Sequence, residues 1–147
     1  MVGEITHRFE RKGLRLAGMK MMQLTDELLS EHYAHLSGKS FFQRVKDSMM
    51  TAPVIVCCFE GVDAIQTVRT LAGPTNGRFS CPRHHSRGIY SMSFQENIVH
   101  TSDSPETAAI ELNEIFLKPE EIFDYKQATF DYLYANDEIL IELTKKE

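Results

Sequence analysis

No run of apolar residues in this chain reaches the ~18–20 that a helix needs to span a bilayer. The opening residues, MVGEITHRFE, contain no apolar block of the kind that a secretory signal carries. Cysteine is scarce. Cys57, Cys58 and Cys81 make an odd number without zinc spacing, so no disulfide framework is expected, and Cys57-Cys58 read as buried thiols in an apolar run. A basic excess is also missing: 16 Lys and Arg against 21 Asp and Glu leave a net charge of −5. That balance weighs against general nucleic-acid affinity, although it leaves room for a local basic pocket that takes phosphates. Internal repeats, low-complexity blocks and linkers are absent. What is left is a cytoplasmic protein of one domain, residues 1–147, whose 42% hydrophobic content suffices for a real core.

The chain reads as a short series of helices and strands. Val2–Lys12 is a helix with Ile5 and Phe9 one turn apart and Gly13 as its stop. Leu14–Met22 reads as a buried strand. Thr25 caps a second helix whose first turn holds Asp26 and Glu27, suited to its positive end. Leu28, Leu29, His32, Tyr33 and Leu36 form the packing face, and Gly38 ends the helix. Phe41–Met50 is a further short helix and Val54–Phe59 a strand; Asp63 then caps a helix holding Ile65, Val68 and Leu71, stopped by Gly73-Pro74. Between Pro74 and Ser86 nothing is periodic, so this is a loop, and Arg78, Arg83, His84, His85 and Arg87 fall within ten positions of one another. Its histidines and Cys81 lack defined metal-ligand spacing, which makes metal binding there a weak reading. Residues 117–147 alternate aromatic and acidic character and read as a strap laid over a surface by Phe123, Tyr125, Phe130 and Tyr132. This order predicts an α/β protein, an open sheet with helices on one face.

One stretch concentrates the chemistry. Asn97–Glu111 reads NIVHTSDSPETAAIE. Asn97 to His100 is expected to be a short strand that delivers a histidine to its end, followed by the hydroxyl-rich turn Thr101 to Ser104. Ser104 caps the next helix with Pro105 at its first position, where a missing N–H costs nothing; Asp103 with Glu106 is a competing cap register. Ala108, Leu112, Ile115 and Phe116 share the packing face, and Glu111 projects back toward the turn from the side of Ser104 and Thr107. A histidine beside a hydroxyl turn and a helix N-terminus suits phosphate handling.

The NxxHxSDS segment resembles the active-site segment of nucleoside diphosphate kinases. The likeness runs in order through VGEITHRFERKG, EHYAHLSGKSFF, TAPVIVCCFEG, VRTLAGPTN, Arg87-Gly88 and LKPEEIFDY. It implies a ferredoxin-like βαββαβ fold with a four-stranded antiparallel sheet and helices on its faces. In the family a strand and a Lys-Pro-Asp motif precede the first helix here. Met1 falls one residue ahead of the VGEI block, so that strand and its lysine are expected to be absent from this chain.

The resemblance also implies a mechanism, in which the γ-phosphoryl group passes from a nucleoside triphosphate such as ATP to a nucleoside diphosphate by way of a phosphohistidine. His100 matches the nucleophile, Glu111 the carboxylate that holds its other ring nitrogen, and Ser102 the hydroxyl bonded to that carboxylate. Arg69, Thr75 and Arg87 match phosphate contacts, Phe41 the aromatic that stacks on the base and Val45 its apolar neighbour. Tyr33 matches a tyrosine near the phosphohistidine, and Asn97 a contact to the sugar hydroxyl. Mg²⁺ is implied as a bridge between nucleotide phosphates and not in a protein cage. The resemblance implies nucleoside di- and triphosphates and copies of the same chain as partners, since the family builds tetramers or hexamers from dimers; membrane and nucleic acid are not expected. The loop departs from the family's Pro-Gly-Thr-Ile-Arg-Gly-Asp run, with Ile89 in the aspartate's place, and Gln95-Glu96 replaces a common Gly-Arg. With the absent lysine, these departures support an alternative: a catalytically weakened relative acting as a nucleotide-binding or structural protein. A nucleic-acid role for the Arg/His loop ranks third.

Overall fold

The computed structural model describes residues 1–74 and 98–128. Thr75, Arg87 and Asn97, the other charged residues of the loop, Cys81, and Phe130 and Tyr132 lie outside the described residues. The described elements are α1 (Val2–Arg11), β1 (Arg15–Met22), α2 (Asp26–His32), α3 (Phe42–Met49), β2 (Val54–Glu60), α4 (Ala64–Ala72) and α5 (Pro105–Ile115), with short 3₁₀ turns at Ala34–Leu36 and Pro119–Glu121.

Local chemistry explains where these elements start and stop. After α1 the Gly13 N–H donates to the Glu10 carbonyl and the Leu14 N–H to the Phe9 carbonyl. Gly13 takes φ 106°, the left-handed backbone this closure needs. Phe9 and Leu14, whose backbones the closure joins, are both buried. Thr25 caps α2, its hydroxyl accepting from the Leu28 N–H at 3.3 Å. That helix ends at His32 and not at Gly38, because the chain tightens into the 3₁₀ turn at once. Asp63 precedes α4 without a side-chain cap: its backbone is left-handed at φ 49°, and only its carbonyl enters the helix, accepting from Thr67. Ile98 to His100 is not a strand. Its β-branched residues are half-buried at 98 and 99, so their apolar side chains pack without the segment being a strand.

The strands β1 and β2 pair antiparallel, from Arg15 opposite Glu60 to Met22 opposite Val54. They are the two strands found among the described residues, against the four expected of the whole fold. A bulge between Leu16 and Gly18 bends β1 where the tail crosses it. There the Phe123 N–H donates to the Ala17 carbonyl at 2.8 Å, and the Tyr125 hydroxyl to the Leu16 carbonyl at 2.9 Å. Gly18 is required at this crossing, since a Cβ on it would stand 2.7 Å from the Glu121 carbonyl oxygen and 3.2 Å from the Phe116 ring.

Ala17, Cys58 and Phe116 form the centre of the core, with Val56, Leu112, Ile115 and Ile122 packed around them. On the other side Phe9 meets Phe59 edge to face, ring centres 5.1 Å apart. Burial pushes the Cys57 thiol up to about 11 and raises Cys58 as well, so both stay protonated and act as apolar filling. No helix among the described residues is long and apolar enough to cross a membrane.

Candidate active site

Three faces meet at His100: the turn that carries it, the C-terminal end of α2, and the second and third turns of α5. The turn is set by Ser104. Its hydroxyl accepts from the Thr107 N–H at 3.1 Å, and its carbonyl accepts from Ala108 at 2.9 Å. Ser104 thus wins the cap over Asp103, and Asp103 swings out to pair with Arg69. Because Leu112, Ile115 and Phe116 are drawn into the core, the rotation of α5 is fixed, and Glu111 and Glu114 project together on another side.

Glu111 is the centre of the contacts. Its Oε1 lies 3.2 Å from His100 Nε2, and its Oε2 accepts a short hydrogen bond from the Ser102 hydroxyl. Oε1 also faces His32 Nε2 at 3.5 Å. On the far side of the His100 ring, Nδ1 lies 3.2 Å from the Tyr33 hydroxyl. The imidazole is therefore held at both nitrogens while its side chain remains 46% exposed, and the Glu111 side chain behind it is only 14% exposed. An exposed imidazole on a buried support has the geometry to take part in group transfer.

Electrostatics match this geometry. Burial alone would raise the Glu111 carboxyl, but hydrogen bonds from His100 and Ser102 and the nearby charges of His100 and His32 outweigh it and hold the group below its ordinary value of 4.5. Tyr33 moves the other way: burial, then the charges of Glu111 and Asp103, push its phenol up to about 12. It stays a neutral hydroxyl that can donate to His100 Nδ1. In the neutral ring, with Nδ1 accepting from Tyr33, Nε2 carries the one proton and donates it to Glu111.

Of the residues singled out in the sequence, His100, Glu111, Ser102 and Tyr33 are joined by direct contacts. Arg69 reaches the same turn through Asp103, with the pair's side chains 42% and 77% exposed. Phe41 stands at the start of α3 with its ring side partly open, and Val45 lies one turn on, half-buried. Two further residues belong to the site. His32, read from the sequence only as helix packing, faces Glu111, and its Nδ1 lies 3.1 Å from Glu114 Oε2. The available signals were its position next to Tyr33 and the spacing of Glu111 and Glu114 on one helix side.

The family model described as nucleoside diphosphate kinase matches residues 1–122. The chain belongs to the nucleoside diphosphate kinase family. It is 68% identical over 138 residues to a nucleoside diphosphate kinase of Parabacteroides distasonis, which covers 94% of this chain and 89% of that one. A nucleoside diphosphate kinase B of Bos taurus is 40% identical over 134 residues, covering 91% and 87%. Among solved structures, a halophilic nucleoside diphosphate kinase from Halobacterium salinarum in complex with CDP superposes with a TM-score of 0.85 at 32% identity, over 91% of this chain and 88% of that one. A nucleoside diphosphate kinase family protein from Babesia bovis gives a TM-score of 0.84 at 34% identity, over 90% and 88%. The nucleoside diphosphate kinase fold, ferredoxin-like and α/β, is therefore the fold of this chain.

The Glu111 balance gives a pH prediction for this kinase-family site. A carboxyl lowered on folding stabilises the fold above its unfolded value, and that contribution is lost as pH falls through the folded value. Ser102→Ala removes one of the donors holding it down. The Glu111 titration, followed by carboxyl NMR, is expected to move up toward 4.5, and acid unfolding to begin at higher pH. An unmoved midpoint would show that Ser102 does not hold this carboxylate.

Proposed function

We propose that the protein transfers the γ-phosphoryl group of a nucleoside triphosphate to a nucleoside diphosphate in two half-reactions through a phosphohistidine at His100. The observation that carries this reading is the imidazole held between Tyr33 and the Glu111–Ser102 pair. In the first half-reaction the Nδ1 lone pair attacks the γ-phosphorus. An N–P bond forms, the bond to the β-phosphate oxygen breaks, and the diphosphate leaves with that electron pair. The ring keeps its Nε2 proton and becomes cationic, and Glu111 opposite Nε2 meets that charge where it develops. In the second half-reaction a terminal oxygen of an acceptor diphosphate attacks the same phosphorus, the N–P bond breaks, and the neutral ring returns.

Arg69 supports phosphate binding by exchange. Its present partner Asp103 is exposed, and exposed ion pairs are worth only ~0–1 kcal/mol, so an incoming phosphate displaces it at small cost. Thr75 and Arg87 are assigned further phosphate contacts, Asn97 the sugar hydroxyl, and Phe41 with Val45 the apolar face of the base. Contact with base faces alone reads no base donor or acceptor, which fits a broad choice of nucleoside. ATP is the proposed donor. Mg²⁺ is assigned to the nucleotide's phosphates, whose charge it neutralises: the one triad of candidate ligands among the described residues, His32, His100 and Glu111, is two-thirds nitrogen and suits Mg²⁺ poorly.

Residues 1–147 are assigned to one cytoplasmic domain, with 117–147 as a strap whose crossing over β1 is made by Phe123 and Tyr125. Met19, Met21, Leu117, Phe123 and Tyr125 leave large apolar side chains exposed on β1 and the strap. This surface supports a homo-oligomer, a tetramer or hexamer built from dimers. Light scattering at micromolar concentration is expected to give such a mass, and a monomer would contradict the assignment.

Incubation with γ-labelled ATP and Mg²⁺ is expected to leave acid-labile, alkali-resistant phosphate on the wild type and none on His100→Ala. Glu111→Ala is expected to slow labelling about 10–100-fold, the usual effect of losing a supporting hydrogen bond. Label that survives His100→Ala would remove His100 from the nucleophile's role.

A further inference from the structure

His32, His100 and Glu111 come from α2, the turn and α5, and one donor atom from each lies within 4.8 Å of the others. Zn²⁺ binds imidazole nitrogen and carboxylate oxygen at about 2.0–2.2 Å, so neighbouring ligand atoms on its tetrahedron stand about 3.3–3.5 Å apart. Two edges of this triangle already have that length. Glu111 Oε1 is 3.2 Å from His100 Nε2 and 3.5 Å from His32 Nε2. The third edge lies between two imidazoles whose ring centres are 5.4 Å apart, and His100, the most exposed of the three side chains, is the one that can turn to close it.

Each ligand also has an outer partner that aims it. Glu114 Oε2 lies 3.1 Å from His32 Nδ1. When the ring is neutral, as a metal ligand must be, Glu114 accepts the Nδ1 proton and the Nε2 lone pair points at the triangle, as in the carboxylate–histidine pairs behind bound zinc. Ser102 occupies Glu111 Oε2 and leaves Oε1 for a metal. Tyr33 contacts the remaining nitrogen of His100 at 3.2 Å. Phosphoryl transfer as derived above uses neither His32 nor Glu114.

We propose that His32 Nε2, His100 Nε2 and Glu111 Oε1 form a binding site for a borderline transition-metal ion, Zn²⁺ above all, that holds the protein in an inhibited form. The set of two nitrogens and one oxygen favours Zn²⁺ over Mg²⁺, and the open side at His100 leaves a fourth position for water. Binding takes the lone pair of His100 Nε2. The ring's single proton then resides on Nδ1, where the Tyr33 hydroxyl oxygen accepts it. A protonated Nδ1 has no lone pair with which to attack phosphorus, and Glu111 is occupied as well. The inhibition rests on the phosphotransfer reading; the binding does not.

Co²⁺, which reports tetrahedral nitrogen and oxygen ligation by visible absorption, is the probe. Titration of the whole chain is expected to give one such site, with affinity lowered at least tenfold by His32→Gln and by His100→Ala. Glu114→Gln keeps all three ligands and is expected to weaken Co²⁺ about tenfold through the lost outer partner. It decides the matter if His32→Gln fails to fold by circular dichroism. Absence of the tetrahedral band in the wild type, or affinity unchanged in these variants, would overturn the proposal. Zn²⁺ added before ATP is expected to suppress labelling of His100. If Co²⁺ binds as described while metal-free enzyme never labels, the metal site stands and the transfer reading falls; labelling without Co²⁺ binding has the opposite meaning.

Discussion

A half-hidden carboxylate is the constraint on which this site depends. Glu111 is pulled two ways: burial opposes its charge, and hydrogen bonds from His100 and Ser102 more than restore it. A charged group in that position must keep its donors, since leaving a buried charge unpaired is costly. The same requirement fixes the tautomer of His100, because only an Nε2–H can satisfy the carboxylate while Tyr33 addresses Nδ1. A structural need and a chemical one are thus met by one set of contacts.

The carboxylate is aimed by packing well away from it. Phe116, at the C-cap of α5, is buried against Ala17 and Cys58, and its ring also bounds the space over Gly18. With Leu112 and Ile115 beside it, the core leaves α5 no freedom to rotate, so Glu111 and Glu114 must face α2. The bulge in β1 serves the same end, because it lets the tail cross tightly enough for the Glu121 carbonyl to approach Gly18. Lys20 on β1 ties this region further, bonding Glu121 at 3.0 Å and the last carbonyl of α5 at Ile115. The position of the Glu111 carboxylate beside His100 is therefore a product of sheet geometry.

Much of this was legible in the sequence where the signal is local. Thr25 and Ser104 are hydroxyl caps with acidic residues or proline behind them, and both caps form. The β1 and β2 strands are apolar runs bounded by turn residues, and α1 stops at its glycine. The cluster at His100, Glu111, Ser102 and Tyr33 was readable through the resemblance carried by the motif and its spacing. What escaped is non-local or depends on competition. His32 and Glu114 are 82 residues apart, so the local signals at each, a place beside Tyr33 and a helix side shared with Glu111, do not show that the two meet. Asp63 has the right residue type for a cap, yet its left-handed backbone turns the side chain away from that task. Asp103 lost the cap to Ser104 and became the partner of Arg69. Ile98 and Val99 have strand-forming side chains but sit half-buried outside any strand, so propensity alone misread them.

In the proposed transfer, Glu111 reserves one ring nitrogen of His100 and so leaves the other to carry the phosphoryl group. The most direct measurement is the position of phosphate on the imidazole of the phosphorylated protein, read by correlated proton and phosphorus NMR under alkaline conditions. Phosphate on Nδ1 alone is expected. Phosphate on Nε2, or a mixture of the two, would contradict that role of Glu111.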